Sequence, residues 1–310
     1  MKSWSIVVVT WNSEEELGPL LASVDEHIGP EVEVVVVDNG SADGTVDVAR
    51  SYPGLVTVLA TGENLGFGQG NNVGVEEATT GVVVMLNPDT YLVDSSLRDL
   101  AELARSRRIL VGPRMLNADG SVQPSASVMP GSPAAVLNAV VPVGVLPAGL
   151  AEFVQPWHTA AMSRVGRLTG ACVAARRDLL LELGPFDPRI HLYSEDLDLG
   201  LRAADAGITS FIAPDVAQVV HLGDRSSGKA FSDRGLWLSA SNRRLVVHER
   251  RGELIGWLDF VLEVVGHALG FAYRRLRRDD ASYYVAWLRN IRRLVRRPTF
   301  APASSTEPAS

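Results

Sequence analysis

The sequence predicts an α/β protein with a mostly parallel central sheet of nucleotide-binding type and a helical appendage at the C-terminal end. Two observations carry this. Apolar, β-rich runs alternate with helix-like segments through the first third of the chain. Polar signals then recur at the carboxyl ends of those runs, where open α/β sheets bind ligands: Thr10-Trp11-Asn12, Asp38-Asn39-Gly40-Ser41 and Asn87-Pro88-Asp89. The 310 residues, 46% hydrophobic, suffice for one large domain and an appendage.

Taken in order, Ser5–Thr10 reads as a strand, Glu14–Glu26 as a helix and Val32–Asp38 as a strand apolar enough to be covered on both faces. Ala42–Ser51 follows as a helix with Asp43 as its N-cap, then strand Val56–Ala60. A Gly/Asn-rich segment, Gly62–Asn72, leads into a helix ending near Ala78 and a fourth strand, Val82–Leu86. Pro130–Pro156, with six further prolines and glycines and little helical periodicity, reads as a long acceptor-side loop. Gly166–Ala175 is a strand, Asp178–Leu183 and Glu195–Ala206 are helices, and Thr209–Ala213 and Val216–His221 are strand-like.

The tail differs in charge and pattern. Residues Arg243–Arg297 hold 13 arginines against six acids, a net +7, while the first 242 residues carry −13. An acidic body with a basic tail argues against general nucleic-acid binding and fits a catalytic domain leaning on an anionic membrane surface. Leu254–Tyr273 has the length to cross a bilayer, yet Asp259, Glu263 and His267 recur every four residues on one helix face. An amphipathic helix follows, either packed on the core or lying in the interface, with Arg274, Arg275, Arg277 and Arg278 next. Ala301–Ser310 is Pro/Ser/Ala-rich and reads as disordered. The division is therefore a catalytic domain over 1–230 (halves about 1–112 and 113–230), a basic helical appendage over 231–298 and a tail over 299–310. Met1–Thr10 enters a strand at once without a leader pattern, so a cytoplasmic location is expected. The single cysteine, Cys172, sits in an apolar run and reads as a buried structural thiol.

Several acids are placed for chemistry. Asp38 closes its strand, where a carboxylate can accept from a pyrimidine imide N–H or simply hold a turn. Asp89 is the carboxylate of an Asn-Pro-Asp turn, a composition common in turns yet suited to Mg²⁺ or Mn²⁺, which favour one or two carboxylates plus phosphate oxygens. Glu195-Asp196-Leu197-Asp198 puts three acids in the first turn of a helix, more than the helix dipole needs, so one of them can serve as general base. His221 ends a strand and can complete a metal shell, and the loop after it, with Arg225, Ser226, Ser227 and Lys229, can hold phosphate.

As an ordered set, SIVVVTWN (5–12), VDNGSADGT (37–45), NLGFGQGNN (64–72), LNPD (86–89), GPFD (184–187) and YSEDLDLGLR (193–202) resembles the family 2 glycosyltransferases of GT-A fold over roughly Ser3–Lys229. Within that family VGPRMLNADGSVQPSAS (111–127) is similar to the rhamnosyltransferases that act on polyprenyl-diphosphate-GlcNAc in cell-wall synthesis. The resemblance implies an inverting transferase. Thr10, Asn12 and Asp38 would hold the nucleoside, and Asn64, Gly66, Asn71 and Asn72 would shape the donor pocket. Asp89 and His221 would hold a divalent cation, with Asn87 standing where the family's Asp-X-Asp element has its first Asp. Asp196 would be the catalytic base, with Glu195 beside it. Arg189–Leu192 departs from the family in being less aromatic. The partners implied are a dTDP-sugar donor and a polyprenyl-linked glycan acceptor, met by a peripheral enzyme at the inner face of the plasma membrane; an oligomer is left open. Alternatives are a family 2 enzyme using UDP-galactofuranose or a UDP-hexose, and a non-catalytic sugar-nucleotide-binding module. A dinucleotide-binding dehydrogenase fits less well, because Gly66–Gly70 follows the third strand rather than the first.

Overall fold

The computed structural model describes residues 3–54, 56–223 and 233–291. The first half runs β1 (Ser5–Thr10), α1 (Glu14–His27), β2 (Glu33–Asp38), α2 (Thr45–Ser51), β3 (Val56–Ala60), α3 (Phe67–Glu77), β4 (Val82–Leu86), β5 (Thr90–Leu92), α4 (Ser96–Ser106), β6 (Ile109–Gly112), β7 (Arg114–Leu116) and β8 (Ala126–Ser127). The second half runs α5 (Pro133–Val140), α6 (Ala148–Val154), β9 (Ser163–Val165), β10 (Arg167–Leu168), β11 (Cys172–Arg176), α7 (Arg177–Leu183), α8 (Glu195–Asp205), β12 (Thr209–Ile212), β13 (Gln218–His221), α9 (Asp233–Arg277) and α10 (Ser282–Arg289).

Eight strands form the main sheet in the order β3-β2-β1-β4-β11-β6-β12-β9. From β3 to β4 every pairing is parallel, as the βα alternation requires; β11 then pairs antiparallel with both β4 and β6. Alternate side chains of the central strands feed two cores. Ile6, Val8, Val34, Val36 and Val84 pack with Leu17, Leu20 and Leu100 on one face. Val7, Val9, Val35, Val37, Val83 and Met85 pack with Val75, Leu179 and Leu199 on the other.

The glycines of the Gly/Asn-rich segment serve this packing. A Cβ on Gly74 would lie 2.3 Å from Val7 Cγ1, and one on Gly70 2.6 Å from Val9 Cγ1, so α3 seats directly on β1. They are helix-to-sheet contacts and form no phosphate-cradling loop at the first strand.

Three expectations are corrected. Pro130–Pro156 is largely helical: α5, α6 and two single 3₁₀ turns occupy it. Its prolines start helices instead of breaking them, since Pro133 occupies the first turn behind Ser132, whose Oγ accepts from Ala135 N at 3.2 Å. The strand expected over Gly166–Ala175 is two strands interrupted at Thr169–Ala171, because the Gly170 amide turns to bond a side chain of α8. Helix α2 begins at Thr45, so Asp43 lies outside it and accepts from Thr45 N and Oγ1.

Helix α9 is broken at Gly252 (φ 81°, ψ 174°), and its arms, 233–251 and 253–277, fold back on one another. Arg243 reaches Asp259, and Arg244 stacks over Trp257 and Phe260. The first arm packs on α8, and the second packs on α5 and α10. The tail over 299–310 and residues Arg225 and Ser226 lie outside the described residues.

Because Gly74 sits hard against β1, Gly74→Leu is expected to destabilise the fold by about 1–3 kcal/mol through overpacking. A denaturant-unfolding midpoint unchanged from wild type would contradict this seating of α3.

Candidate active site

The carboxyl ends of β1, β2 and β4 carry Thr10, Asp38 and the Asn87-Pro88-Asp89 turn. Asp38 faces Thr10 across the parallel register. Its Oδ1 accepts from Thr10 Oγ1 (3.2 Å) and Ser41 Oγ (2.5 Å), and its Oδ2 from the Ser41 amide (3.0 Å). Asn12 adopts a left-handed backbone (φ 49°), and its Oδ1 accepts from Ala42 N at 2.8 Å, tying the loop after β1 to the loop after β2. Asp38 therefore holds the Asp-Asn-Gly-Ser turn whatever else it does, and these bonds fix both loops where a nucleoside would lie.

The next loop is built on Gly66. Asn64 Oδ1 accepts from Gly66 N at 2.9 Å, and Gly66 O accepts from Asn39 Nδ2 at 3.0 Å. Gly66 has φ 87°, and a Cβ there would strike the His191 carbonyl at 2.5 Å. Asn71 donates to Phe67 O, while Asn72 and Phe186 exchange two bonds of 2.9 and 3.0 Å. Asn72 thus locks α3 to the Gly-Pro-Phe-Asp loop, while Asn71 bonds back within α3.

Asp89 and His221 meet on the small sheet β5-β13-β7. His221 pairs with Thr90, and Leu222 N donates to Asp89 O at 2.9 Å. His221 Nε2 lies 3.2 Å from Asp89 Oδ1. Its other nitrogen, Nδ1, lies 2.8 Å from Gln123 Oε1, whose Nε2 donates to His221 O and Asn117 Oδ1. Gln123 is oriented by those donations, so its oxygen accepts and Nδ1 carries the proton. Nε2 then faces the carboxylate, and a ring fixed through its far nitrogen is how metal-ligating histidines are held. Asn87 Oδ1 is buried beside them with no hydrogen-bond partner among the described residues. The donor set fits a hard or borderline divalent ion that takes its remaining ligands from phosphate. Among the described residues no group of three or more His, Cys, Asp and Glu is placed to hold a metal ion without such outside ligands.

The acidic run opens α8 behind a strained turn. Tyr193 and Ser194 are both left-handed (φ 65° and 73°), and Asn242 of α9 pins them by donating to the Leu192 and Tyr193 carbonyls at 2.8 and 3.3 Å. Asp196 is 7% exposed; its Oδ2 accepts from Gly170 N at 3.2 Å and ion-pairs with Arg167 Nη2 at 2.9 Å. The adjoining Ala171 O accepts from Asn87 N, which places Asp196 and the Asn-Pro-Asp turn on the same side of β11 and β4. Glu195 is also buried, with Oε2 unpartnered among the described residues, and burial next to Asp196 pushes its pKa up to about 8. Asp198 is structural: Arg202 Nε and Arg250 Nε each approach one of its oxygens at 2.7 Å.

Sequence reasoning missed Arg167, Gln123, His191 and the α9 residues. Gln123 alone carried a signal, sitting inside the segment 111–127 that suggested the rhamnosyltransferases.

The model of "Glycosyl transferase family 2" matches residues 5–129. An N-acetylglucosaminyl-diphospho-decaprenol L-rhamnosyltransferase of Mycobacterium tuberculosis is 34% identical over 72% of this chain and 77% of its own length. The chain belongs to glycosyltransferase family 2. Among solved structures, the mannosyltransferase PcManGT from Pyrobaculum calidifontis, in complex with GDP-Man and Mn²⁺, superposes with a TM-score of 0.59 at 18% identity, over 93% of this chain and 86% of that one. S. aureus TarS 1-349 in complex with UDP gives 0.53 at 18% identity, over 88% and 72%. These likenesses establish the GT-A fold for this glycosyltransferase.

The raised pKa of Glu195 has a signed consequence. Its neutral form suits the folded state, so the stability it permits is fully present below its ordinary value of 4.5 and is lost as pH rises through about 8. Glu195→Gln should therefore gain stability over wild type between pH 5 and pH 9, by on the order of a few kcal/mol. Urea denaturation of both proteins at the two pH values checks this; an offset independent of pH would show that Glu195 is ionised in the fold.

Proposed function

We propose that this family 2 enzyme transfers L-rhamnose from dTDP-L-rhamnose to a lipid-linked N-acetylglucosaminyl diphosphate, with inversion at the anomeric carbon. What supports the chemistry is the pairing of Asp89 with His221, together with the seating of Asp196 against Gly170, whose neighbour Ala171 bonds the Asn87 amide of the same turn, and the position of Asp38 at the carboxyl end of β2. The M. tuberculosis relative supports the choice of donor and acceptor.

Thr10, Asn12 and Asp38 hold the nucleoside end, and the loop around Asn64 and Gly66 closes the donor pocket. Asp89 and His221 would hold a divalent ion, Mg²⁺ or Mn²⁺, which when bound neutralises charge on the diphosphate leaving group. Asp196 takes the proton of the acceptor hydroxyl. That oxygen bonds to the anomeric carbon as the bond to the diphosphate breaks on the opposite face, giving an α-L-rhamnoside from a β-linked donor. Arg167 and the Gly170 amide fix the carboxylate of Asp196. Burial beside Asp196 holds Glu195 toward its protonated form.

The same proposal places the enzyme against a membrane on its cytoplasmic side. The polar face of the second α9 arm is turned inward: Asp259 and Glu263 pair with Arg243, and His267 stacks on Trp287. Its outward face is apolar, with Leu254 and Leu276 more than 80% exposed and Trp257, Val261 and Leu269 about half exposed or somewhat less. Arg274, Arg275, Arg277 and Arg278 border that face. An apolar stripe flanked by arginines suits an interfacial site on anionic lipid.

Two outcomes are expected. Released dTDP, assayed against UDP from the corresponding UDP-sugars, should report turnover with dTDP-rhamnose and a GlcNAc-diphosphate lipid. Asp196→Asn should lower it by ~10²–10⁴-fold while thermal stabilisation by dTDP-rhamnose with Mn²⁺ persists; near-normal transfer by this variant would remove Asp196 as base. In sedimentation with vesicles, replacing the four arginines by Gln should weaken binding to phosphatidylglycerol-containing bilayers by about 1 kcal/mol each and leave neutral bilayers unaffected. Equal binding by wild type and variant would refute the interfacial reading.

A further inference from the structure

An apolar cleft of about 580 Å³ lies between α5, α6 and β9, on the acceptor side of the main sheet. Val128, Met129, Pro133 and Phe153 line it, with Glu152 and Arg164 the charged residues among its walls. The residues assigned above to donor, metal and base do not line it. A volume and lining of this kind belong to small-molecule sites with apolar ligands.

Two features say what the ligand is. Arg164 and Gly166 line the cleft, and the next residue, Arg167, is the ion-pair partner of Asp196. Arg164 is exposed, with no ion pair to a carboxylate among the described residues, so the cleft wall offers a cation. Phe153, which lines the cleft from α6, and Leu150 on the same helix are 55% and 45% exposed. Helix α5, which supplies Pro133 and Ala134 to the cleft, packs on the second α9 arm, where Cβ positions at Gly131 and Gly266 would touch Ile255 and Ala139. Helix α5 thus links the cleft to the arm that carries the apolar, arginine-bordered face described above.

We infer that this cleft is an isoprenoid site: it takes the first prenyl units of a polyprenyl-diphosphate acceptor, with Arg164 at the diphosphate and the sugar hydroxyl delivered past Arg167 to Asp196. The inference rests on the lipid-linked acceptor proposed above and adds the subsite that reads the lipid. It makes the chain, beyond the sugar, part of what the enzyme recognises, and it draws the acceptor directly from the bilayer.

Gly149 supplies the test. It lines the cleft from α6, and a Cβ there meets nothing within 4 Å, so Gly149→Trp adds bulk at the cleft wall; Gly149→Ala is the control. Farnesyl diphosphate is the binding probe, with inorganic diphosphate beside it. Wild type and Gly149→Ala should bind farnesyl diphosphate at least tenfold more tightly than diphosphate, and Gly149→Trp should lose that preference while dTDP-rhamnose still raises its melting temperature. In turnover, Gly149→Trp should raise KM for a polyprenyl acceptor at least tenfold and leave KM for a GlcNAc-diphosphate with a two-carbon chain unchanged. Unaltered farnesyl diphosphate binding and unaltered KM in Gly149→Trp would overturn the cleft assignment while the rhamnosyl-transfer reading stood. Cleft-dependent farnesyl diphosphate binding without rhamnosyl transfer to either acceptor would do the reverse.

Discussion

The start of α8 packs three carboxylates, Glu195, Asp196 and Asp198, into four consecutive buried positions, and the rest of the site is arranged around that burden. Charge in a low-dielectric interior must be paired or neutralised. Asp198 is answered twice, by Arg202 from its own helix and by Arg250 from α9. Asp196 is answered by Arg167 and a backbone amide. Glu195 has neither, and burial beside Asp196 pushes its pKa up to about 8. Three acids within one helical turn thus meet three different surroundings.

This compensation makes the C-terminal hairpin part of the catalytic unit. Arg250 pairs with Asp198, Asn242 clamps two left-handed residues ahead of the acids, and Arg243 carries its own buried pair with Asp259 and Glu263 close behind. Burial pushes the Glu263 pKa up to about 7 against the attraction of Arg243, so this second acidic patch also sits near neutrality. The periodic acids that distinguish the second arm from an ordinary membrane span are spent inside the protein, which is why its apolar residues are left facing out.

The donor half was legible in the sequence because its signals are local. Strand runs, polar strand ends and the Asp-Asn-Gly-Ser turn each depend on a few adjacent residues, and β1 to β4 fall where the alternation put them. The acceptor half was less legible. Prolines at 133 and 147 read as breakers, yet both sit at helix starts, a distinction that depends on what precedes them. The partners of the predicted acids come from far along the chain: Arg167 reaches Asp196 across an interrupted strand, and Gln123 reaches His221 across nearly a hundred residues. No periodicity encodes such pairings. The amphipathic reading of Leu254–Tyr273 had the correct face but left its direction open, since a hydropathy pattern does not say which side the protein occupies.

Gly252 settles the path of the chain at the surface. A continuous helix of 45 residues would be far longer than a bilayer is thick. Doubling back at one glycine instead lays both arms of the hairpin against the catalytic domain. On the function proposed above, such a fold would meet a soluble donor from one side and a lipid-linked acceptor from the other, and the released nucleoside diphosphate would return to water.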